Sequence, residues 1–344
     1  MSDEIKNKIY QVLGNYRDPE NNKLLDEKNP DIAIMIDKGN VNLTIDIGNR
    51  EASNYINFQE ILKKELLKVN NILSVNVILT SDKKNIQNNN KTKSFSIDAK
   101  YIIAIASGKG GVGKSTFSVN LAVALKKLDK IVGILDADIY GPSVPKMMGI
   151  FDRPQTNENK KLIPLENHGV ECMSIGFLIG AETPAIWRGP MVMKALEQMF
   201  NGVEWKKLDY LIIDLPPGTG DAQLTLAQKT KLSGAIIIST PQDVALIDAR
   251  KGINMFRKVE VPILGIVENM SYFICEKCNT RHEIFSTGGV KDEATKFDIP
   301  FLGEIPIEKN LRINSDKGKP VCISNPESNI AKKYLSIAEK IINN

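Results

Sequence analysis

Tyr101-Ile102-Ile103-Ala104-Ile105-Ala106-Ser107-Gly108-Lys109-Gly110-Gly111-Val112-Gly113-Lys114-Ser115-Thr116 decides how the rest of the chain is read. The first six residues form a continuous apolar run, as in a strand buried on both faces of a sheet. From Gly108 to Ser115 the sequence fits G-x-x-x-x-G-K-[ST]. Behind it, Leu121, Leu125 and Leu128 recur on one side of a predicted helix. A strand, a glycine-rich turn and a helix N-terminus in this order form a phosphate cradle. The glycines let backbone N–H groups turn toward phosphate oxygens, and the helix adds the positive end of its dipole. Lys114 supplies a point charge at the outer phosphates. The Ser115 hydroxyl is placed to ligate Mg²⁺. The expected ligands are ATP and Mg²⁺, with residues 108–116 as the nucleotide contacts.

Downstream, the apolar pattern repeats at Ile131–Leu135, Tyr210–Ile213, Ala235–Ile238, Ile263–Val267 and Phe301–Ile305, with helical segments between several of them. Apolar strands alternating with helices predict an α/β fold built on a mostly parallel, doubly wound sheet. Ligands of such sheets bind at the carboxyl ends of the strands. Carboxylates stand at those ends: Asp136 and Asp138 after the second run, Asp214 after the third. Asp214 is the candidate for the Mg²⁺ shell, acting directly or through water. Asp138 is the candidate for positioning the attacking water, and Asp136 either shares that work or caps the strand end. Pro216-Pro217-Gly218-Thr219-Gly220-Asp221 has the make-up of a loop that senses the γ-phosphate. Glu268-Asn269 closes the fifth run.

Toward the N-terminus the pattern differs. Residues 1–80 read as a small α+β domain in the order helix, two strands, helix, strand, with the first helix near Glu4–Leu13 and a turn at Asp18-Pro19-Glu20 behind it. Val41, Leu43, Ile45 and Ile47 alternate with polar residues, the period of a half-buried strand. The polar stretch 81–100, with Asn88-Asn89-Asn90, reads as a linker. The ATPase domain then spans 101–344.

The 344 residues are 42% hydrophobic, and 45 basic residues face 41 acidic ones. Lysines are scattered rather than gathered, which speaks against a nucleic-acid binder. No run approaches the length of a membrane span, and no apolar signal core follows the N-terminus. A cytoplasmic protein without stable membrane association is expected. In such a compartment the four cysteines do not form a disulfide framework.

Cys275-Glu276-Lys277-Cys278 brings two thiols to one point. Spacing alone leaves three readings: an iron–sulfur cluster shared by two chains, a zinc knuckle including His282, or a redox dithiol. Phe273-Ile274 and Ile284-Phe285 would pack as the arms of a knuckle. Cys172 and Cys322 read as buried small side chains.

Lys109, a second lysine near the start of the loop, resembles the deviant Walker A loop of the family containing MinD, ParA, the nitrogenase iron protein and the Mrp-type carriers. The resemblance sharpens along the chain through Asp136-Ala137-Asp138-Ile139-Tyr140-Gly141-Pro142-Ser143, Trp187-Arg188-Gly189-Pro190-Met191, 209–221 and the cysteine pair. Together these segments resemble the Mrp/ApbC iron–sulfur cluster carriers over about residues 100–340. The first 80 residues are similar to the small iron–sulfur assembly domain often fused ahead of that ATPase. The resemblance implies a homodimer in which Lys109 reaches the partner's nucleotide and Asn269 recognises adenine. It implies a [4Fe–4S] cluster on Cys275 and Cys278, slow ATP hydrolysis, and exchange with a cluster scaffold and apo iron–sulfur client proteins. A ParA/MinD-like positioning ATPase is the second reading, suggested by the lysine-bearing helix near Ile330–Ile342; a zinc-stabilised regulatory ATPase is the third. The first 171 residues contain no cysteine, so the N-terminal domain is expected to dock or select partners rather than hold a cluster.

Overall fold

The computed structural model describes residues 2–27, 29, 31–37, 40–47, 50–70, 72–80, 95, 97–178 and 189–343. They fall into two compact units, Met1–Asn90 and Lys91–Asn344. Most of the expected linker, and Trp187-Arg188, lie outside the described residues.

In the smaller unit, helix α1 (Ser2–Leu13) precedes strands β1 (Ile32–Asp37) and β2 (Asn40–Asp46), helix α2 (Ile56–Leu66) and strand β3 (Ser74–Thr80). β2 is central, antiparallel to β1 and parallel to β3. The alternation along β2 sends Val41, Leu43 and Ile45 into a core with Ile9, Leu13, Tyr55, Leu62 and Leu66. The Asp18 turn is a hub. The buried Asp18 carboxylate accepts the N–H groups of Glu20 and Asn21, the Tyr55 hydroxyl at 2.7 Å and Arg50 Nη1 at 2.6 Å. Arg50 in turn donates to the carbonyls of Asp46 and Ile47. Burial alone would raise the Asp18 carboxyl; these hydrogen bonds and the Arg50 charge outweigh it and hold the group below the usual value.

The larger unit begins with β4 (Ala99–Ala106), α3 (Lys114–Lys127), β5 (Val132–Asp136), α4 (Val144–Met148), β6 (Leu165–Asn167), β7 (Val170–Ser174) and α5 (Gly189–Asn201). It continues with β8 (Leu208–Asp214), α6 (Asp221–Lys229), β9 (Gly234–Ser239), α7 (Asp243–Lys258), β10 (Ile263–Ile274), β11 (Arg281–His282) and α8 (Gly289–Lys296). β12 (Phe301–Ile307), α9 (Lys309–Asp316), α10 (Val321–Ser324) and α11 (Asn329–Asn343) complete it. The sheet runs β12-β10-β9-β4-β8-β5-β7-β6, with β11 added at the far end of β10. Every pairing is parallel except β6 with β7 and β10 with β11.

All six expected strands are present. The first starts at Ala99, and Phe95 is already buried, stacked 4.5 Å from Phe200 and bridged to Thr230. The end of the stretch read as a linker is therefore packed, because an aromatic ring has a core to enter. After β4 the chain goes to β5 and β8 on one side and later to β9 on the other. The phosphate loop leaves β4 at this switch point, where open α/β sheets bind ligands.

The C-terminal helix buries Ile330, Ala331, Tyr334, Ile337, Ala338 and Ile341. Tyr334 packs on Phe117 of α3, Lys333 pairs with Glu304 at 3.5 Å, and Lys340 donates to the Leu302 carbonyl. Its apolar face covers its own sheet, which removes the membrane-targeting reading of this helix. Among the described residues no helix is long and apolar enough to cross a membrane.

Candidate nucleotide site and cysteine hairpin

The loop between β4 and α3 closes over a cleft of about 180 Å³ lined by Gly110, Lys114, Ser115, Thr116, Asp138 and Pro217, among others. Two glycines have local reasons to be there. Gly113 sits at φ 84°, and a Cβ on it would collide with the Asn269 side chain. A Cβ on Gly108 would strike the Asp248 backbone of α7. Only glycine lets the loop lie this close to its neighbours.

Lys114 is the first residue of α3 and is buried. Its ammonium lies 2.8 Å from the fully buried Asp214 carboxylate at the end of β8. The Ser115 hydroxyl donates to Asp214 Oδ2 at 2.5 Å, and Ser118 Oγ lies 2.6 Å from Oδ1. The Walker lysine, the Walker serine and the strand-end aspartate thus form one cluster. Ser118 was not legible in the motif. It is a polar residue on the inward face of α3 between Phe117 and Leu121, and that misfit is the signal that could have found it.

The two aspartates at the end of β5 and just beyond it divide their work. Asp136 is fully buried and accepts the N–H groups of Asp138 and Val144 and the Ser174 hydroxyl. It ties off the strand end and holds the following loop. Burial, then the neighbouring Asp214 charge, pushes its carboxyl up to about 8, against the opposing effect of Lys114. Asp138 lines the phosphate cleft itself, and burial raises its carboxyl too. The loop after Asp214 is tied to the phosphate loop: the Gly218 N–H donates to the Ser107 carbonyl at 3.0 Å. Gln223 holds the Pro216 carbonyl from α6. Lys109 is half-buried, and among the described residues no hydrogen bond or ion pair engages its ammonium.

Asn269 is buried on β10, and its amide donates to the Val112 carbonyl at 2.8 Å. It braces the phosphate loop from behind. Glu268 next to it accepts the Ser271 hydroxyl and the Val290 N–H at the start of α8.

Just past the end of β10, Cys275 and Cys278 sit in the tight hairpin that leads to β11. Phe273 pairs with His282 and Ile274 with Arg281. The Cys275 N–H donates to the Thr280 carbonyl and the Asn279 N–H to the Cys275 carbonyl. Both thiols are free; Cys275 is half-buried and Cys278 exposed. Hydrogen bonding to Thr280, then to Cys275, holds the Cys278 thiol below its ordinary value. Ile274 and Ile284 are 43% and 55% exposed, so the apolar arms do not close into a knuckle. Among the described residues no three His, Cys, Asp or Glu side chains gather to hold a metal, so Cys275, Cys278 and His282 do not form a single-chain zinc site. Cys172 and Cys322 are buried in β7 and α10. A cavity of about 600 Å³, bordered by Tyr272, Phe273, Cys275, Glu308 and Lys309, opens beside the hairpin.

A mostly parallel sheet with a lysine-rich phosphate loop at its switch point, and a strand-end aspartate bound to both Walker side chains, is a P-loop nucleoside-triphosphatase of the MinD/ParA type. Within that class the chain belongs to the ParA family, "NUBPL iron-transfer P-loop NTPase", which matches residues 98–342. It is 56% identical over 244 residues to the "Iron-sulfur protein required for NADH dehydrogenase, mitochondrial" of Arabidopsis thaliana, covering 71% of this chain and 78% of that one. It is 50% identical over 280 residues to the "Iron-sulfur cluster transfer protein NUBPL" of Dictyostelium discoideum, covering 77% and 87%. It is 52% identical over 243 residues to the "Iron-sulfur cluster carrier protein" of Escherichia coli K12, covering 70% and 66%. Among solved structures, a nucleotide-binding protein of Archaeoglobus fulgidus in complex with ADP superposes with a TM-score of 0.59 at 39% identity, over 68% of this chain and 92% of that one. MinD of Pyrococcus furiosus shares the fold at a TM-score of 0.54 and 24% identity, over 71% and 99%.

Proposed function

We propose that the chain is an ATP-hydrolysing iron–sulfur carrier that works as a homodimer in the cytoplasm. It holds a [4Fe–4S] cluster on Cys275 and Cys278 and delivers it to apo acceptor proteins. The observation that carries the reading is the exposed two-thiol hairpin, built on a strand that also braces the phosphate loop. Two thiolates are half of what a cluster needs, and a second copy related by twofold symmetry supplies the rest. The cavity beside Cys275 gives an acceptor thiol room to approach.

At the nucleotide site, residues 110–114 donate backbone N–H groups to the phosphates. Lys114 exchanges the Asp214 carboxylate for the β- and γ-phosphates. Ser115 and Asp214 offer hard oxygen donors in contact with each other, which fits Mg²⁺. When bound, the ion neutralises charge building on the phosphate oxygens. Asp138 orients the attacking water. Lys109, unengaged among the described residues, reaches the partner's nucleotide and stabilises the transferring phosphoryl group. Asn269 contributes to adenine recognition with the polar capacity that bracing Val112 leaves over. The N-terminal unit, with no cysteine, selects or docks partners.

The test is anaerobic reconstitution with iron and sulfide, followed by absorption spectra of wild type and the Cys275→Ala/Cys278→Ala double variant. A broad iron–sulfur charge-transfer band is expected in wild type only. Stoichiometric zinc with no iron uptake would sink the carrier reading.

A further inference from the structure

Strand β10 carries an irregularity between its two functional ends. In the ladder with β12, Asn269 pairs with Ile305 and the next pair is Phe273 with Ile307. β10 therefore places Met270, Ser271 and Tyr272 where β12 places only Pro306. Proline has no N–H to offer the ladder, so the extra residues arch out of register as a bulge. Met270 takes φ 56°, a left-handed conformation unusual for a side chain of its kind. Bulges and strained residues persist where their surroundings hold them, and they concentrate near functional sites.

The surroundings that hold this one are specific. On the loop side, the Asn269 amide grips the Val112 carbonyl, and the Met270 methyl lies at van der Waals distance from where a Gly113 Cβ would stand. Within the bulge, the Ser271 hydroxyl donates to Glu268 and lies 3.4 Å from Glu304 on β12. On the far side, the Tyr272 ring is covered by Arg281 at 3.8 Å, and Arg281 belongs to the strand that closes the cysteine hairpin. The Asn269–Val112 hydrogen bond, the three out-of-register residues and the Arg281–Tyr272 contact thus link the phosphate loop to the turn that carries Cys275 and Cys278.

We propose that Met270 and Ser271 are positioning residues. The bulge they form is a joint that lets the nucleotide state of the phosphate loop set the placement of the two thiols. Phosphate binding draws the N–H groups around Gly113 inward and shifts the Val112 carbonyl. Asn269 and Met270 follow, and the hairpin, stiffened by its own pairings, moves as a unit on the end of β10. The inference deepens the carrier reading, but its measurement needs no cluster.

The experiment measures iodoacetamide alkylation of Cys275 and Cys278 in the full-length apo protein, without nucleotide and with Mg²⁺ and a non-hydrolysable ATP analogue. In wild type the analogue is expected to change the alkylation rate about fivefold or more, the size typical of coupling between sites. Met270→Gly adopts the left-handed conformation freely and removes the side chain that faces Gly113. Ser271→Ala cuts the tie to Glu268 without touching the loop. Each is expected to bind the analogue within about twofold of wild type and to lose the rate change, since coupling and affinity are separable quantities. If Met270→Gly does not fold, Ser271→Ala decides. A full nucleotide effect in the folded variants overturns the joint, because shielding of the thiols by simple dimer contact would persist in them. An unchanged alkylation rate in wild type overturns it as well. Failure to take up iron strikes the carrier reading alone and leaves this result standing.

Discussion

Ser118 brings a hydroxyl onto the apolar face of α3, where it meets the buried Asp214 carboxylate. A hydrogen bond to a charged group contributes about 1.5–3 kcal/mol. Ser118→Ala is therefore expected to lower the unfolding free energy from denaturant titration by about that amount, and an unchanged value would show that water replaces the hydroxyl without cost. Lys114→Ala removes the charge proposed to meet the outer phosphates and also takes the cation away from Asp214. Hydrolysis should fall by about a hundredfold or more, as when a preorganised transition-state donor is deleted. Retained activity in a phosphate-release assay would mean that the phosphate site is misplaced. Much of this cluster was legible in the sequence, because Lys114 and Ser115 are fixed by a loop pattern and Asp214 by its place at the end of an apolar run. Ser118 and Ser174 were not. A serine's hydrogen-bonding role depends on which carboxylate the fold brings to it, and both of these partners come from distant strands.

Individual elements show the same divide. The strands that read as unbroken apolar runs lie in the middle of the sheet or end on it as β12. β7 shows no unbroken apolar run because Val170-Glu171-Cys172-Met173-Ser174 carries a glutamate, which the structure buries by giving it the Lys206 N–H at 3.0 Å and ammonium at 3.2 Å. β10 extends seven residues beyond Val267 because Glu268 and Asn269, which look like a strand end, find partners on Val290 and Val112. A hydrogen bond thus ties the phosphate loop to β10. Gly113→Ala would need a Cβ at positive φ in the space held by Asn269. It should weaken nucleotide binding, measured by calorimetry, even though Lys114, Ser115 and Asp214 all remain. On the opposite flank, α11 covers α3 and β12 with residues such as Ile337. Truncating that side chain to alanine should cost about 2–5 kcal/mol, as for other buried large-to-small changes. An Ile337→Ala protein of wild-type stability would show that the helix is dispensable to the core.

At the scale of the whole molecule, the chain holds two cores of different electrostatic character. The smaller unit is organised around Asp18, whose carboxyl is held below its ordinary value of 3.8. A depressed acid contributes stability above its unfolded value and loses it as the pH falls through the folded one. The larger unit buries Asp136, whose carboxyl is raised to about 8. For a raised acid the folded state binds the extra proton, so its contribution is complete below 3.8 and is lost as the pH rises toward about 8. The two units should therefore respond to pH in opposite senses. In calorimetric scans without nucleotide, two transitions are expected. One, belonging to the larger unit, rises as the pH is lowered from 8 to 5; the other holds through that range and falls only once the pH drops below the ordinary Asp value. Asp136→Asn cannot titrate and should flatten the first response while leaving the second intact. Arg50→Ala, which removes a cation from Asp18, should lower the second transition without moving the first. A single transition, or two that shift together in both variants, would show that the units unfold as one cooperative body and that their separate cores are not separate in energy.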